Sequence, residues 1–510
     1  MVRGSSRILL PLLVFIISAG VWAAGAVDEE REARWQLLHR GFTRQYIEEC
    51  LVRRERPGWS LEDETDLAMG YWWLMAEDFG EPTVQDQLFT VVQRGISYCR
   101  RTMDENNLPP QYESLIGNLI TMAGQVQVAR GNYLSAARHA REGQKLLDRV
   151  RQTNPEIADT YFSLGLYLYY ADLSSPLVRS LQRLLFFPPG NSRLGLLYLE
   201  KAALQSKRFG PMARVALATI YSNGEKQHSN ALSHLRTLRR QYPENPLFLS
   251  LTVKVLSELG DLDRARELLE EADKKVSNGV LPFTEYHRNV FRVLRAELEL
   301  EDYALDTAYE NLILVMENDE SGPIWVQPVA AYSLARLYLL SGNESAYSAV
   351  LSKVHRGDDS GRHRKRIKKL PRRLLDDGYI PDLHPVFRYW IAGDLDLALQ
   401  HLDRLRQIKG NTGLLSFLLG ELHLQRGEPG KARDGFRDYL SLGSGVNPWV
   451  AGWCLIRLGD IEAGRGDFDA ASRYYRQAES REEFSDSFVA VYRIELLARK
   501  EARRHQGQPG

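Results

Sequence analysis

Cysteine is scarce. Three residues in 510, Cys50, Cys99 and Cys454, are too few and too scattered for a disulfide scaffold or for most zinc modules. An excess of one charge is also absent, since 66 lysines and arginines face 66 aspartates and glutamates. That balance argues against a dedicated nucleic-acid coat and leaves only local patches to attract anions. No stretch alternates apolar and polar residues for long, so strands are not expected. The sequence holds no glycine-rich phosphate loop, no Gly-x-Ser-x-Gly elbow and no His-Glu-x-x-His. Its eleven histidines are scattered singly, and Asp394, Asp396 and Asp403 lack calcium-loop spacing. No cofactor, metal ligand or catalytic residue is expected, and an enzyme is disfavoured. With 44% hydrophobic and 26% charged residues, the chain nevertheless has globular composition.

The N-terminus reads as a targeting segment. Arg3 and Arg7 precede an apolar run from Ile8 to Ala19, and small residues end at Ala23-Ala24-Gly25-Ala26. This is the order of a secretory signal, with cleavage expected after Ala26; an uncleaved anchor is the alternative. Beyond it no apolar run reaches membrane-spanning length. The mature chain is therefore expected to be exported, periplasmic or associated with the cell envelope. Cys50 and Cys99 could pair there, or all three thiols could stay free and buried.

The remainder repeats itself. Gly459 is followed by Ala471 after 12 residues, Tyr475 after four more and Ala478 after a further three. Gly420, Ala432, Phe436 and Tyr439 keep the same offsets, as do Val253, Ala265, Leu269 and Ala272. Between the small positions lie Gly466-Asp467, Gly427-Glu428 and Gly260-Asp261. Further copies occupy Gly124 to Ala140, Ala218 to Leu238, Leu334 to Asn343 and Gly393 to Leu405. Paired antiparallel helices need small residues where their axes approach, and a glycine turn between them.

These residues resemble the tetratricopeptide repeat, a helix-turn-helix unit of 34 residues, from about Gln111 to Ser480. The Leu294 to Leu312 unit departs from the pattern by lacking the turn glycine. The segment Tyr161 to Pro246 is also similar to the tetratricopeptide-39 and Iml2-like group. That likeness rests on Leu164-Gly165 and on Arg193-Leu194-Gly195-Leu196 with Glu200-Lys201-Ala202-Ala203. It implies an adaptor associated with a membrane or organelle. The fold expected is all-α, a tetratricopeptide-like right-handed solenoid of about ten helix pairs with one inserted amphipathic helix.

The insert is residues 173–190, because Gly165 and Gly195 stand 30 residues apart instead of 12. Leu173, Leu177, Leu181, Leu184 and Leu185 fall on one helical face of it. An extra packed helix, a partner-docking helix and a membrane-surface helix all fit that pattern, the packed helix best. A second interruption runs from Arg362 to Arg373, where eight of twelve residues are basic. It is a candidate anionic patch centred on Arg364, Lys365, Arg366, Lys368 and Lys369, or a solvated linker. The organisation expected is thus 1–26 signal, 27–110 degenerate N-terminal helices, 111–355 first solenoid block, 356–383 basic linker and 384–510 second block with a C-terminal capping helix.

The resemblance implies a concave face lined by the first helix of each unit. Its positions here include Thr121, Gln125, Phe162, Tyr169, Tyr170, Ser222, Asn223, Lys254, Ser257, Tyr332, Arg336, Phe417, Glu421 and Asp460. Aromatic and arginine side chains among small polar ones suit peptide recognition. The function expected is a non-enzymatic exported scaffold or adaptor, holding a protein or peptide partner on that face or on the inserted helix. No nucleic-acid partner is expected, and membrane contact is not favoured. The alternatives are a peripheral membrane or envelope-assembly adaptor and an accessory subunit of an envelope enzyme complex.

Overall fold

The computed structural model describes residues 29–102, 108–173, 189–318, 322–354, 362–372, 380–443, 447–481, 492–494 and 496–497. The signal segment 1–26 and all but the edges of the insert 173–190 lie outside the described residues, as does most of the region assigned to a C-terminal capping helix. The described residues are helical, with no strand among them. Contacts divide the chain into two compact units, residues 1–214 with 241–245, and residues 215–240 with 246–510.

The first unit holds α1 (29–39), α2 (Thr43–Arg54), α3 (Leu61–Glu77), α4 (Pro82–Thr102), α5 (Pro110–Ala129), α6 (Tyr133–Thr153), α7 (Thr160–Asp172) and α8 (Ser192–Gln205). Helix α9 (Gly210–Thr219) carries the division between the units and continues into a π-helical turn, Ile220–Gly224. The second unit continues with α10 (His228–Gln241), α11 (Pro246–Glu258), α12 (Leu262–Ser277), α13 (Glu285–Glu301), α14 (Leu305–Glu317), α15 (Val326–Leu340) and α16 (Glu344–Lys353). Short α17 (Arg362–Lys368) precedes α18 (His384–Ile391), α19 (Leu395–Lys409), α20 (Gly413–Gln425), α21 (Pro429–Ser441), α22 (Pro448–Gly464) and α23 (Phe468–Glu479). Within each unit, successive helices pack mainly as hairpins and then against the next pair, which is the arrangement of a helical solenoid. None of the described helices is long and apolar enough to cross a membrane.

The hairpins close through one recurring device. Gly131, Gly260, Gly342, Gly393, Gly427 and Gly466 all adopt φ between 70° and 84°, where a Cβ is disfavoured. The next residue often caps the following helix. Asp394 Oδ1 accepts from Leu397 N at 3.0 Å, Asp467 Oδ1 from Ala470 N at 2.9 Å and Asn343 Oδ1 from Ala346 N at 3.1 Å. Asp394 is therefore a helix cap.

The small positions are where the paired helices touch. A Cβ built on Gly420 would lie 2.5 Å from Phe436, and one on Gly459 would lie 2.2 Å from Tyr475. Gly165 faces Gly195 in the same way, although the two stand 30 residues apart in sequence. Phe436 is fully buried, so it has no free space into which to yield. Gly420→Ala is expected to lose about 1–3 kcal/mol to overpacking, partly offset by about 1 kcal/mol of helix propensity. Urea denaturation followed by circular dichroism measures this; a variant more stable than the parent would refute the close approach.

Two sequence expectations change here. The units divide at residue 214, not at 356–383, because α17 is not a free linker: Ile367 and Leu370 are buried in the second unit's core. The Tyr347 hydroxyl also donates to the Ile367 carbonyl at 3.1 Å. Its basic side chains occupy the outer side of a packed helix, with Arg364, Lys365, Arg366, Lys368 and Lys369 exposed. Cys50, Cys99 and Cys454 are all buried.

Candidate functional site

The expected groove positions separate into two groups. Phe162 and Tyr169, in the first unit, are core residues and not groove surface. Phe162 stacks on Phe209 with centroids 5.4 Å apart and meets Trp72 edge-on at 6.1 Å, and Tyr169 is buried beside the exposed Tyr170. Helix α7 is apolar nearly all round, and Phe162 and Tyr169 lie on its covered sides. In the second unit, Asn223 is exposed on the π-helical turn. The Tyr332 ring is half-buried beneath the Arg366 guanidinium, 4.8 Å from its centroid. One candidate of the groove and one of the basic patch thus occupy each other.

The other positions converge. Lys254, Ser257, Arg336, Phe417 and Glu421 line one cleft of about 460 Å³ in the second unit. The reason is register. Counting from the small residue of each first helix, Lys254 follows Val253, Arg336 follows Ala335 and Glu421 follows Gly420 by one residue. Glu297 follows Ala296 in the same way and also lines the cleft, as do Glu258 and Glu301, each five residues after its small position. Sequence reasoning missed Glu297 and Glu301 because the unit lacks a turn glycine. The signal was nevertheless present: Ala296, Ala308, Leu312 and Val315 keep the offsets of 12, four and three.

At the glycine position of that unit stands Tyr303, with φ of 60°. A tyrosine in the left-handed region costs about 1 kcal/mol or more and persists only where its surroundings enforce it. They do so on both sides. Its ring stacks on Trp390 at 5.8 Å and meets Phe417 edge-on at 5.6 Å. The preceding Asp302 accepts from Arg266 Nη2 at 2.5 Å and from Arg457 Nη1 at 2.9 Å, and its carbonyl accepts from Gln425. Arg457 Nε donates in turn to Glu421 Oε1 at 3.0 Å, and Arg266 grips both oxygens of Glu299 at 3.0 and 2.8 Å. Five helices are thus tied beneath the cleft, and an aromatic ring is set into its wall.

Burial pushes the Asp302 carboxyl up, but Arg457 and Arg266 more than offset this and hold it below the ordinary carboxylate range. At Glu258 burial is likewise outweighed, by hydrogen bonds from His228 Nε2 at 3.1 Å and from the Ser222 hydroxyl on the π-helical turn. Glu301 behaves oppositely. Protein atoms crowd its carboxyl end and push it up to about 7, against a hydrogen bond from Ser257 and with repulsion from Glu297, Glu258 and Asp302. Glu297 is raised for the same first reason. Trp449, 45% exposed, and the half-buried Trp453 complete an aromatic side. The arrangement gathers flat rings, fixed charges and a serine hydroxyl on one cleft. Among the described residues no group of His, Cys, Asp and Glu is placed to hold a metal.

Residues 246–271, which are α11 and most of α12, match the family model described as tetratricopeptide repeat. The resemblance drawn from the residue offsets therefore holds at a unit that lines the cleft. No curated protein matches the chain significantly. Among solved structures it is similar to a tetratricopeptide repeat protein from Parabacteroides merdae, at 16% identity over 56% of this chain and 98% of that one, with a TM-score of 0.22. Human IFIT1, as a dimer with m7Gppp-AAAA, is 14% identical over 78% and 85% of the two chains, TM-score 0.35. Yeast Tom70 is 10% identical over 92% and 88%, TM-score 0.32. Scores this low carry no argument about ligands or partners.

Proposed function

We propose that this chain is an exported, non-enzymatic scaffold that holds an extended segment of a protein partner in the cleft of its second unit. The observation that carries this reading is the convergence of equivalent repeat positions, Lys254, Glu297, Arg336 and Glu421, on one cleft. Repeat solenoids present such rows as continuous binding surfaces, and exposed tryptophan beside arginine is the composition of binding hot spots. Export rests on the order of residues 1–26 alone. Accordingly the mature chain, recovered from cells that express it, is expected to begin at Val27; an intact N-terminus would overturn cleavage and favour the uncleaved anchor.

The binding reading is tested by selecting random twelve-residue peptides displayed on phage against the full chain. Enriched peptides are expected, and Trp449→Ala should weaken them by about tenfold or more, the usual scale for a hot-spot tryptophan. Tyr170→Ala, also exposed but in the first unit, should leave them unchanged. Failure to enrich any peptide, or equal binding by Trp449→Ala, would reject the cleft as the site.

A further inference from the structure

We propose that the cleft is built to receive a cationic side chain, a lysine or arginine of the bound segment, between its carboxylates and its aromatic side. This deepens the peptide-binding reading and rests on it. Four glutamates, Glu258, Glu297, Glu301 and Glu421, line the cleft against three cations, Lys254, Arg336 and Arg457. One formal negative charge is left over, which a single cationic side chain would balance.

The pairing inside the cleft shows where that side chain would go. Arg457 is engaged by Glu421 and Asp302, and Glu258 by His228 and Ser222. Glu421 is 1% exposed, yet its second oxygen, Oε2, has no hydrogen-bond donor. A buried carboxylate oxygen without a donor is costly, and the side chain lines the cleft, so a donor arriving from a ligand would remove that cost. This unmet acceptor is an observation of hydrogen bonding where the count of glutamates is one of charge, and it asks for the same chemistry. Glu297 and Glu301 stand on the wall formed by α13, and Tyr303, Phe417, Trp449 and Trp453 supply ring faces to which a guanidinium or ammonium is attracted. An acidic ligand would meet Glu258, Glu297 and Glu301 at close range and leave Glu421 Oε2 unsatisfied.

The charge on this wall depends on pH. The groups facing Glu301 and Glu297 are Lys254 and Glu258 from α11, Asp302 and Tyr303 beyond α13, Arg336 from α15, Glu421 from α20 and Arg457 from α22. With the Glu301 carboxyl pushed up to about 7, a bound cation must expel its proton at lower pH, so affinity should rise from pH 5.5 to 8. Removing the two wall glutamates tests this dependence.

The probes are four fluorescent heptapeptide pools, randomised except for a central arginine, lysine, citrulline or glutamate, titrated onto the full chain. The arginine and lysine pools are expected to bind at least about tenfold more tightly than the citrulline and glutamate pools. A Glu297→Gln, Glu301→Gln double variant changes two exposed residues, and circular dichroism checks that it folds. It should bring the ratio close to one and flatten the pH dependence while binding of the citrulline pool persists. Equal binding of all four pools, or preference for glutamate, would overturn the cationic assignment and leave the peptide cleft standing. Binding by no pool would overturn both.

Discussion

Arg457→Met is expected to destabilise the second unit by about 3–5 kcal/mol at neutral pH, the scale for breaking a buried ion pair by removing one partner. Arg457 is 9% exposed and supplies separate nitrogens to two carboxylates from different helical repeats. Without it Glu421 keeps a buried carboxyl with no hydrogen-bond donor on either oxygen, and Asp302 keeps only Arg266 and its own position before the strained Tyr303 turn. Methionine fills much the same volume, so the loss would report charge and hydrogen bonding more than a cavity. Adding Glu421→Leu should recover most of it, because a matched apolar pair does about as well as a buried ion pair. Urea denaturation of the single and double variants measures both numbers. A single-variant loss below about 1 kcal/mol, the scale of an exposed pair, would show that the network is peripheral.

Acid should weaken the first unit through one histidine. His39 is 1% exposed, lies between Trp73 and Tyr242 with centroids at 6.2 and 5.4 Å, and has no hydrogen-bond partner on Nε2. Burial lowers its pKa to about 3 from the usual 6.5. The unfolded chain therefore takes up a proton below pH 6.5 that the folded chain refuses until about pH 3. Stability attributable to this group is complete above pH 6.5 and falls by about 1.4 kcal/mol per pH unit below it, so about 3 kcal/mol is lost by pH 4.5. His39→Phe keeps a ring of similar size and cannot titrate. The slope of stability against pH between 6.5 and 4.5 should be shallower in the variant by that amount, whatever its absolute stability. Identical slopes would mean that water reaches the imidazole in the folded state.

Much of the architecture was legible in the chain because it rests on short-range constraints that recur. A glycine able to adopt positive φ, an aspartate or asparagine able to cap the next helix and a small residue where axes cross are each required at a fixed offset, and each repetition reinforces the others. The same register identified Lys254, Ser257, Arg336, Phe417 and Glu421 as one row, because residues at equal offsets, or three to four apart, leave their helices on the same face.

What the row faces was decided only by the tertiary structure. Phe162 and Phe417 occupy similar places in their repeats, yet the first is sealed between Trp72 and Phe209 while the second reaches a cleft. Burial depends on residues far away in the chain, and no local pattern encodes it. The basic segment shows the same limit. Eight basic residues in twelve read as a solvated linker, but Ile367 and Leu370 anchor it to the second unit's core. Tyr303 is the sharpest case. By sequence it is a missing glycine, and only the ion network around Asp302 and the rings of Trp390 and Phe417 explain how a tyrosine is held where glycine belongs. Offsets within a helix pair follow from local geometry, whereas the charge, burial and strain of the cleft are sums over contacts made by residues as much as 155 positions apart.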